Sequence, residues 1–254
     1  MLILSADTSG KHGSIALVRC SEHGPEPLEL VPLEGGTFSA QLIPQIAALL
    51  SKHSLNKRDL DAFAVASGPG SFTGLRVGLA AIKALAEILQ KPIAAISLLE
   101  VIAFDLRSAA CDSHMNEAAD APLSADFEER GKQFLIALDA ARNEAYVGEY
   151  REGADFPDRV SESLLKFDEL VARANQLQAS IYTPDETIIA AMSLRAALSH
   201  PPNVIRVVRP NAVSIARLGY KKILAGQTVS PAELDATYIR RADAEIRNPV
   251  RAPA

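Results

Sequence analysis

Residues 67–79, SGPGSFTGLRVGL, decide how the rest of the chain is read. They follow the apolar run AFAVA at 62–66 and open an alanine-rich stretch, which reads as strand, glycine turn and helix. As a dinucleotide fingerprint the turn is out of register: its third glycine falls one residue late, giving GxGxxxG, and the lysine of a phosphate-binding P-loop is missing. Ser71 is placed to cap the helix, whose amino end would offer an anion only a modest site. The helix over 72–90 carries one apolar stripe, Phe72, Leu75, Leu79, Ile82, Ala86 and Leu89, and a second of Val77, Ala81, Ala84 and Ile88. Gly74 and Gly78 are spaced as a small-residue groove that lets another helix come close, with Arg76, Lys83 and Glu87 as the clearly polar positions. A helix this apolar is either wholly buried in its own lobe or shared with a partner, and spacing alone leaves both open.

Working outward, LILSAD, GSIALV and PLELVPL read as three strands, followed by a helix FSAQLIPQIAALLSKH with Leu42, Ile46, Leu49 and Leu50 on one face. The strand AFAVA, the helix over 72–90 and the buried strand PIAAI complete a first unit. Residues 104–132 read as a polar linker or excursion, after which the pattern restarts at FLIALD. The two openings match: ILSADTSGKHGSIALV and IALDAARNEAYVGEY each run from a strand ending in Asp, through a polar turn, into a second strand. The expected fold is α/β and two-lobed, βββαβαβα in each half, resembling the duplicated fold of actin, Hsp70 chaperones and sugar kinases. The expected division is an N-terminal lobe over 1–103, the linker 104–132, a C-terminal lobe over 133–232 whose last helix can pack back on the first, and a tail over 233–254.

Composition bounds the function. With 254 residues, a net charge of −5 and a pI of about 5.6, the chain has no overall basic field with which to hold nucleic acid unaided. A solvated tail is the simplest reading of Arg240, Arg241, Arg247 and Arg251. Cys20 and Cys111 form neither a metal spacing nor a disulfide framework, and nothing resembles a signal peptide or a membrane span, so a cytoplasmic location is expected.

In the duplicated fold, paired turns hold a nucleotide's phosphates, and their glycines let backbone N–H groups approach the oxygens. Here the first turn offers Thr8, Ser9, Gly10 and Gly13, whereas the second, DAARNE, has no glycine. The five histidines are scattered without ligand spacing, and no GxSxG or cysteine-nucleophile signature is present. The expectation is therefore no catalytic residue, no metal site and no required cofactor, with at most weak ATP or ADP and Mg affinity in the interlobe cleft at Asp7, Thr8, Ser9 and Asp139.

SGPGSFTGLRVGL closely resembles the signature of the TsaB (YeaZ) family, and the resemblance extends over the chain through LSADTS, the LIP of the first helix, DAARNEAYVGEY and the late TYIR. Leu98 and Ile102, in ISLLEVI, stand where the related TsaD carries its metal-binding HxxxH histidines. What the resemblance implies is a catalytically silent paralogue that binds and activates TsaD, which transfers threonylcarbamoyl to the adenosine 3′ of the anticodon in ANN-decoding tRNAs. It further implies a homodimer when alone, TsaE and tRNA met only through the complex, and no membrane. The expected partner interface is Leu42, Ile46, Ser71, Phe72, Gly74, Leu75, Arg76, Gly78, Leu79 and Lys83. The alternative class is an independent enzyme, either an ATP-dependent kinase-like protein or a glycoprotease-like (M22-like) peptidase.

Overall fold

The computed structural model describes residues 1–113, 133–153, 156–195, 201–237 and 239. The first half runs β1 (Leu2–Asp7), β2 (His12–Ser21), β3 (Gly24–Glu34), α1 (Phe38–Lys52), β4 (Ala62–Gly68), α2 (Phe72–Leu89), β5 (Ile93–Ser97) and α3 (Leu98–Ser113). The second repeats it as β6 (Gln133–Asp139), β7 (Glu144–Arg151), β8 (Asp158–Lys166), α4 (Phe167–Leu177), β9 (Ile181–Thr183), α5 (Glu186–Leu194), β10 (Val204–Arg206) and α6 (Ala212–Leu224). Each half forms a five-stranded sheet, ordered β3-β2-β1-β4-β5 and β8-β7-β6-β9-β10. In both, the first three strands are antiparallel neighbours and the last two join in parallel, so the expected duplication is present strand for strand.

Sequence chemistry accounts for the order. β1 and β4 are buried at every residue, as strands covered on both faces must be, and they read as unbroken runs of apolar and small residues. β3 lies at the sheet edge, where Pro25, Pro27 and Pro32 deny an incoming strand the N–H donors it would need.

Three cores result. α1 and α2 cover one face of the first sheet and bury Leu42, Ile46, Leu75, Leu79 and Ile82 against Leu4, Leu17 and Phe63. α4 and α5 cover the outer face of the second sheet around Leu135, Leu170 and Ile188. Between the sheets lie α3 and α6, in one continuous core that reaches from Ile3 and Val18 to Phe134, Ile136 and Tyr150. α6 packs on β1, β2, β4 and β5, and its first turn is tied there: Ser5 Oγ donates to Ala212 O (2.6 Å) and Ala212 N donates to Ser14 Oγ (3.0 Å). Lys222 pairs with Glu100 of α3 (2.6 Å), and Ser97 Oγ reaches across to Glu162 of β8 (2.7 Å).

The expected linker requires correction. Residues 104–113 continue α3 rather than leaving the fold, because Leu98, Val101, Ile102 and Leu106 recur at helical spacing and sink into the central core. The remainder of that segment, 114–132, lies outside the described residues, as does the tail beyond Ile239.

Candidate functional site: the β1–β2 turn, the glycine turn and the outer helix pair

Two turns meet at the carboxyl end of the first sheet. The β1–β2 turn begins at Asp7, whose Oδ1 accepts hydrogen bonds from Ser9 N (2.9 Å) and Ser9 Oγ (2.6 Å). Thr8 Oγ1 donates to Gly74 O in the first turn of α2 (2.7 Å), and Ser71 N donates to Ser9 O (2.6 Å). The glycine turn is therefore seated on the β1–β2 turn. A Cβ on Gly70 would lie 2.5 Å from Ser9 O, one on Gly74 2.1 Å from Thr8 O, and one on Gly78 2.3 Å from Thr8 Oγ1. Ser71 caps α2 as its sequence position indicates, accepting from Gly74 N (3.3 Å).

This packing corrects the expected role of the small-residue stripe. Gly74 and Gly78 are buried against Thr8 of their own chain, so the groove they would offer a partner helix is already filled. Leu42, Ile46, Leu75 and Leu79 are likewise buried between α1, α2 and the sheet, and present no side chain to a partner. Ser71, Phe72 and Arg76 are exposed and Lys83 is half-buried, and the Arg76 guanidinium lies over the Phe72 ring, 3.7 Å from its centroid. Of the outward strip, Phe72 is an expected interface residue and Ala84 and Ile88 lie on the second apolar stripe of the sequence, while Ile43, Pro44, Ala47 and Ala80 are not in the expected interface. α2 turns out Phe72, Ala80, Ala84 and Ile88, and neighbouring α1 turns out Ile43, Pro44 and Ala47. Ile43 is 50% exposed and Ile88 70%, unusual for isoleucines on regular helices.

The second matched turn is β6–β7. Asp139 N donates to Asp185 Oδ2 (2.8 Å), Asp185 pairs with Arg209, and the Arg209 charge reaches Asp7. Asp185 thus braces the second turn at the Asp139 backbone and is itself paired with Arg209, whose charge favours the ionised Asp7. Ala141, Arg142 and Asn143 all adopt left-handed backbone, with φ of 59°, 56° and 60°. This turn therefore takes glycine-like conformations without glycine, held by Glu144 N donating to Ala141 O (3.0 Å) and Phe167 N to Asn143 O (3.0 Å).

A nucleotide with Mg, which the fold family implies, does not fit the donors in this arrangement. Ser9 N, Ser9 Oγ and Thr8 Oγ1 are spent within the chain, and Ala141 N donates to Asp139 Oδ1 (2.8 Å). Asp7, Thr8 and Ser9 are buried, and the Asp185 carboxylate is already paired with Arg209. Burial raises the Asp7 carboxyl above its ordinary range, against the opposing pull of Ser9 and Arg209. Among the described residues no three His, Cys, Asp or Glu side chains converge as a metal site, and Leu98 and Ile102 are core residues. Burial likewise pushes the Cys20 thiol up to about 11, away from nucleophilic reactivity. No helix among the described residues is long and apolar enough to cross a membrane.

Two like-ordered five-stranded sheets joined by α3 and α6 define a duplicated, two-lobed α/β protein. The chain is similar over nearly its whole length to Haemophilus influenzae "tRNA threonylcarbamoyladenosine biosynthesis protein TsaB", with 27% identity covering 94% of each chain. The Bacillus subtilis protein of the same name is 37% identical over 41% of this chain and 44% of its own. YeaZ from Pseudomonas aeruginosa superposes with a TM-score of 0.65 at 20% identity, covering 93% of this chain and all of that one. The family model "TsaD: tRNA N6-adenosine threonylcarbamoyltransferase" matches residues 35–115. The chain is similar in sequence and in fold to proteins of the TsaB/YeaZ family.

Proposed function

We propose that the chain is a non-catalytic subunit in the formation of N6-threonylcarbamoyladenosine in tRNA, and that it binds and activates TsaD through the outer face of α1 and α2. The observation that carries this reading is the outward apolar strip of Ile43, Ala47, Phe72, Ala80, Ala84 and Ile88, on two adjoining helices whose opposite faces are already packed. Such a strip on a water-facing surface marks a contact with another protein. The TsaD family model matches the segment containing α1, α2 and α3, so TsaD would bring a like-shaped helix pair to a pseudo-symmetric contact. Without TsaD the same strip would pair two copies of this chain. TsaE and tRNA would be met through the complex, in keeping with the net charge of −5. The Phe72–Arg76 stack, a large ring backed by a guanidinium at the end of the strip, has the composition of an interface anchor.

The experiment is reconstitution of tRNA modification by TsaD with this protein, set beside titration calorimetry of the pair. Ile88→Glu should abolish binding and the dependence of modification on this chain, while the variant's circular dichroism and unfolding midpoint stay those of the parent. Unchanged binding by Ile88→Glu, or modification that proceeds equally without this protein, would refute the reading. Turnover of ATP or peptide by the purified chain alone, lost in Asp7→Ala, would favour an independent enzyme instead.

A further inference from the structure

The segment after α6 does not leave the fold. Val229 N donates to Ile93 O (2.9 Å) at the start of β5, the edge strand of the first sheet. Ala232 O then lies 3.5 Å from Lys83 Nζ of α2, and Leu234, only 4% exposed, sinks into the core beneath α1 and α2. At Thr237 the segment reaches the other end of the sheet. Thr237 N donates to Ser67 O (2.7 Å), and the two hydroxyls stand 3.4 Å apart. Thr237 O in turn occupies the space a Cβ on Gly68 would need, 2.8 Å away, and Gly68 has a φ of +135° that side-chain-bearing residues rarely adopt. Ile239 packs on the central core, on the opposite face of the sheet from Leu234.

We propose that residues 229–237 act as a latch on the glycine turn: they fix Ser67 and Gly68 at the end of β4, and through them the seating of residues 68–75 on the β1–β2 turn. Both sides of the glycine turn are then clamped. Ser9 holds Gly70 and Ser71 from within, and Thr237 holds Ser67 and Gly68 from without. The first turn of α2, which carries Phe72 and Arg76, owes its position to a segment that follows it by more than 150 residues in the chain. The inference concerns the free protein and stands whether or not the outer helix face binds TsaD.

Hydrogen–deuterium exchange on the full chain tests it. Thr237→Pro removes the donor to Ser67 O, and exchange at the amides of Ser71, Gly74 and Leu75 should accelerate roughly 2- to 13-fold, the fold-change equivalent to losing one backbone hydrogen bond. Thr237→Val, which keeps the N–H, should leave those rates at the parent values, and amides of β6 and β7 should be unaffected in both. Unchanged exchange at residues 71–75 in Thr237→Pro would overturn the proposal. If Thr237→Pro yields no folded protein, Leu234→Ala serves in its place, because it keeps every backbone donor and removes only the apolar anchor. Faster exchange confined to 68–75 and the latch itself then supports the proposal, and exchange that is unchanged there overturns it.

Discussion

Gly78→Ala separates two accounts of the same glycine. If Gly78 faced a partner helix, alanine there would stabilise the isolated chain by about 1 kcal/mol, the intrinsic preference of a helix interior for alanine over glycine. The structure gives the opposite sign. The new Cβ would stand 2.3 Å from Thr8 Oγ1 and 3.4 Å from Thr8 Cβ and Cγ2. Thr8 is buried, and its hydroxyl is engaged with Gly74 O at 2.7 Å, so the side chain cannot swing away freely. Overpacking of about 1 to 3 kcal/mol, plus roughly 1 kcal/mol for the displaced hydrogen bond, less about 1 kcal/mol of helix preference, leaves a net loss of about 1 to 3 kcal/mol. Thr8→Ala removes both the hydroxyl and the methyl in the way. In that background Gly78→Ala should become neutral or stabilising by up to about 1 kcal/mol, a reversal of sign. Equilibrium urea unfolding of the parent, both single variants and the double variant reads the cycle directly. An equal effect of Gly78→Ala in both backgrounds would refute the contact with Thr8 as the reason for glycine, and stabilisation in the parent would return Gly78 to the partner-facing account.

The helix residues sort the same way: Leu42→Ala should cost about 2 to 5 kcal/mol in urea unfolding, whereas Ile88→Ala should change stability by no more than about 0.5 kcal/mol and act only on association. Asp7 makes a pH-dependent prediction. Its carboxyl is raised on folding, so the folded chain holds that proton more tightly than the unfolded one; the stability this contributes is full below the unfolded value, about 3.9, and is lost as pH rises through the folded value. Asp7→Asn keeps an Oδ1 that can accept from Ser9 and carries no charge. Its unfolding midpoint should gain on the parent between pH 4 and pH 7.5, and a difference that does not grow with pH would contradict the burial of a charged Asp7.

Much of the fold was legible because its signals are local. Runs of apolar and small residues mark β1 and β4, the Asp-turn-strand repeat exposes the duplication, and Ser71 announces the start of α2. The end of the first half was less so. The sequence pattern places no helix at α3, because the alanine-rich and polar residues beyond Leu106 dilute a pattern that Leu98, Val101, Ile102 and Leu106 nonetheless carry.

The outer helix pair shows where sequence stops. Periodicity identified α2 as apolar on two faces, but 3.6-residue spacing cannot say which face meets the sheet, since leucine and glycine satisfy either. Tertiary packing decided it: Thr8 fills the Gly74–Gly78 stripe, the leucines sink between the helices and the sheet, and Phe72, Ala80, Ala84 and Ile88 are left outward. The cleft was decided in the same way. Sequence paired Asp7 with Asp139, but only the fold shows that Ser9 and Thr8 spend their donors within the chain and that Asp185, paired with Arg209, braces the second turn. The chain itself determined a duplicated α/β fold with a glycine turn opening α2. Contacts between residues distant in sequence determined that Ser9 and Thr237 hold this turn, because a hydrogen bond or a missing Cβ acquires a partner only when the chain has folded.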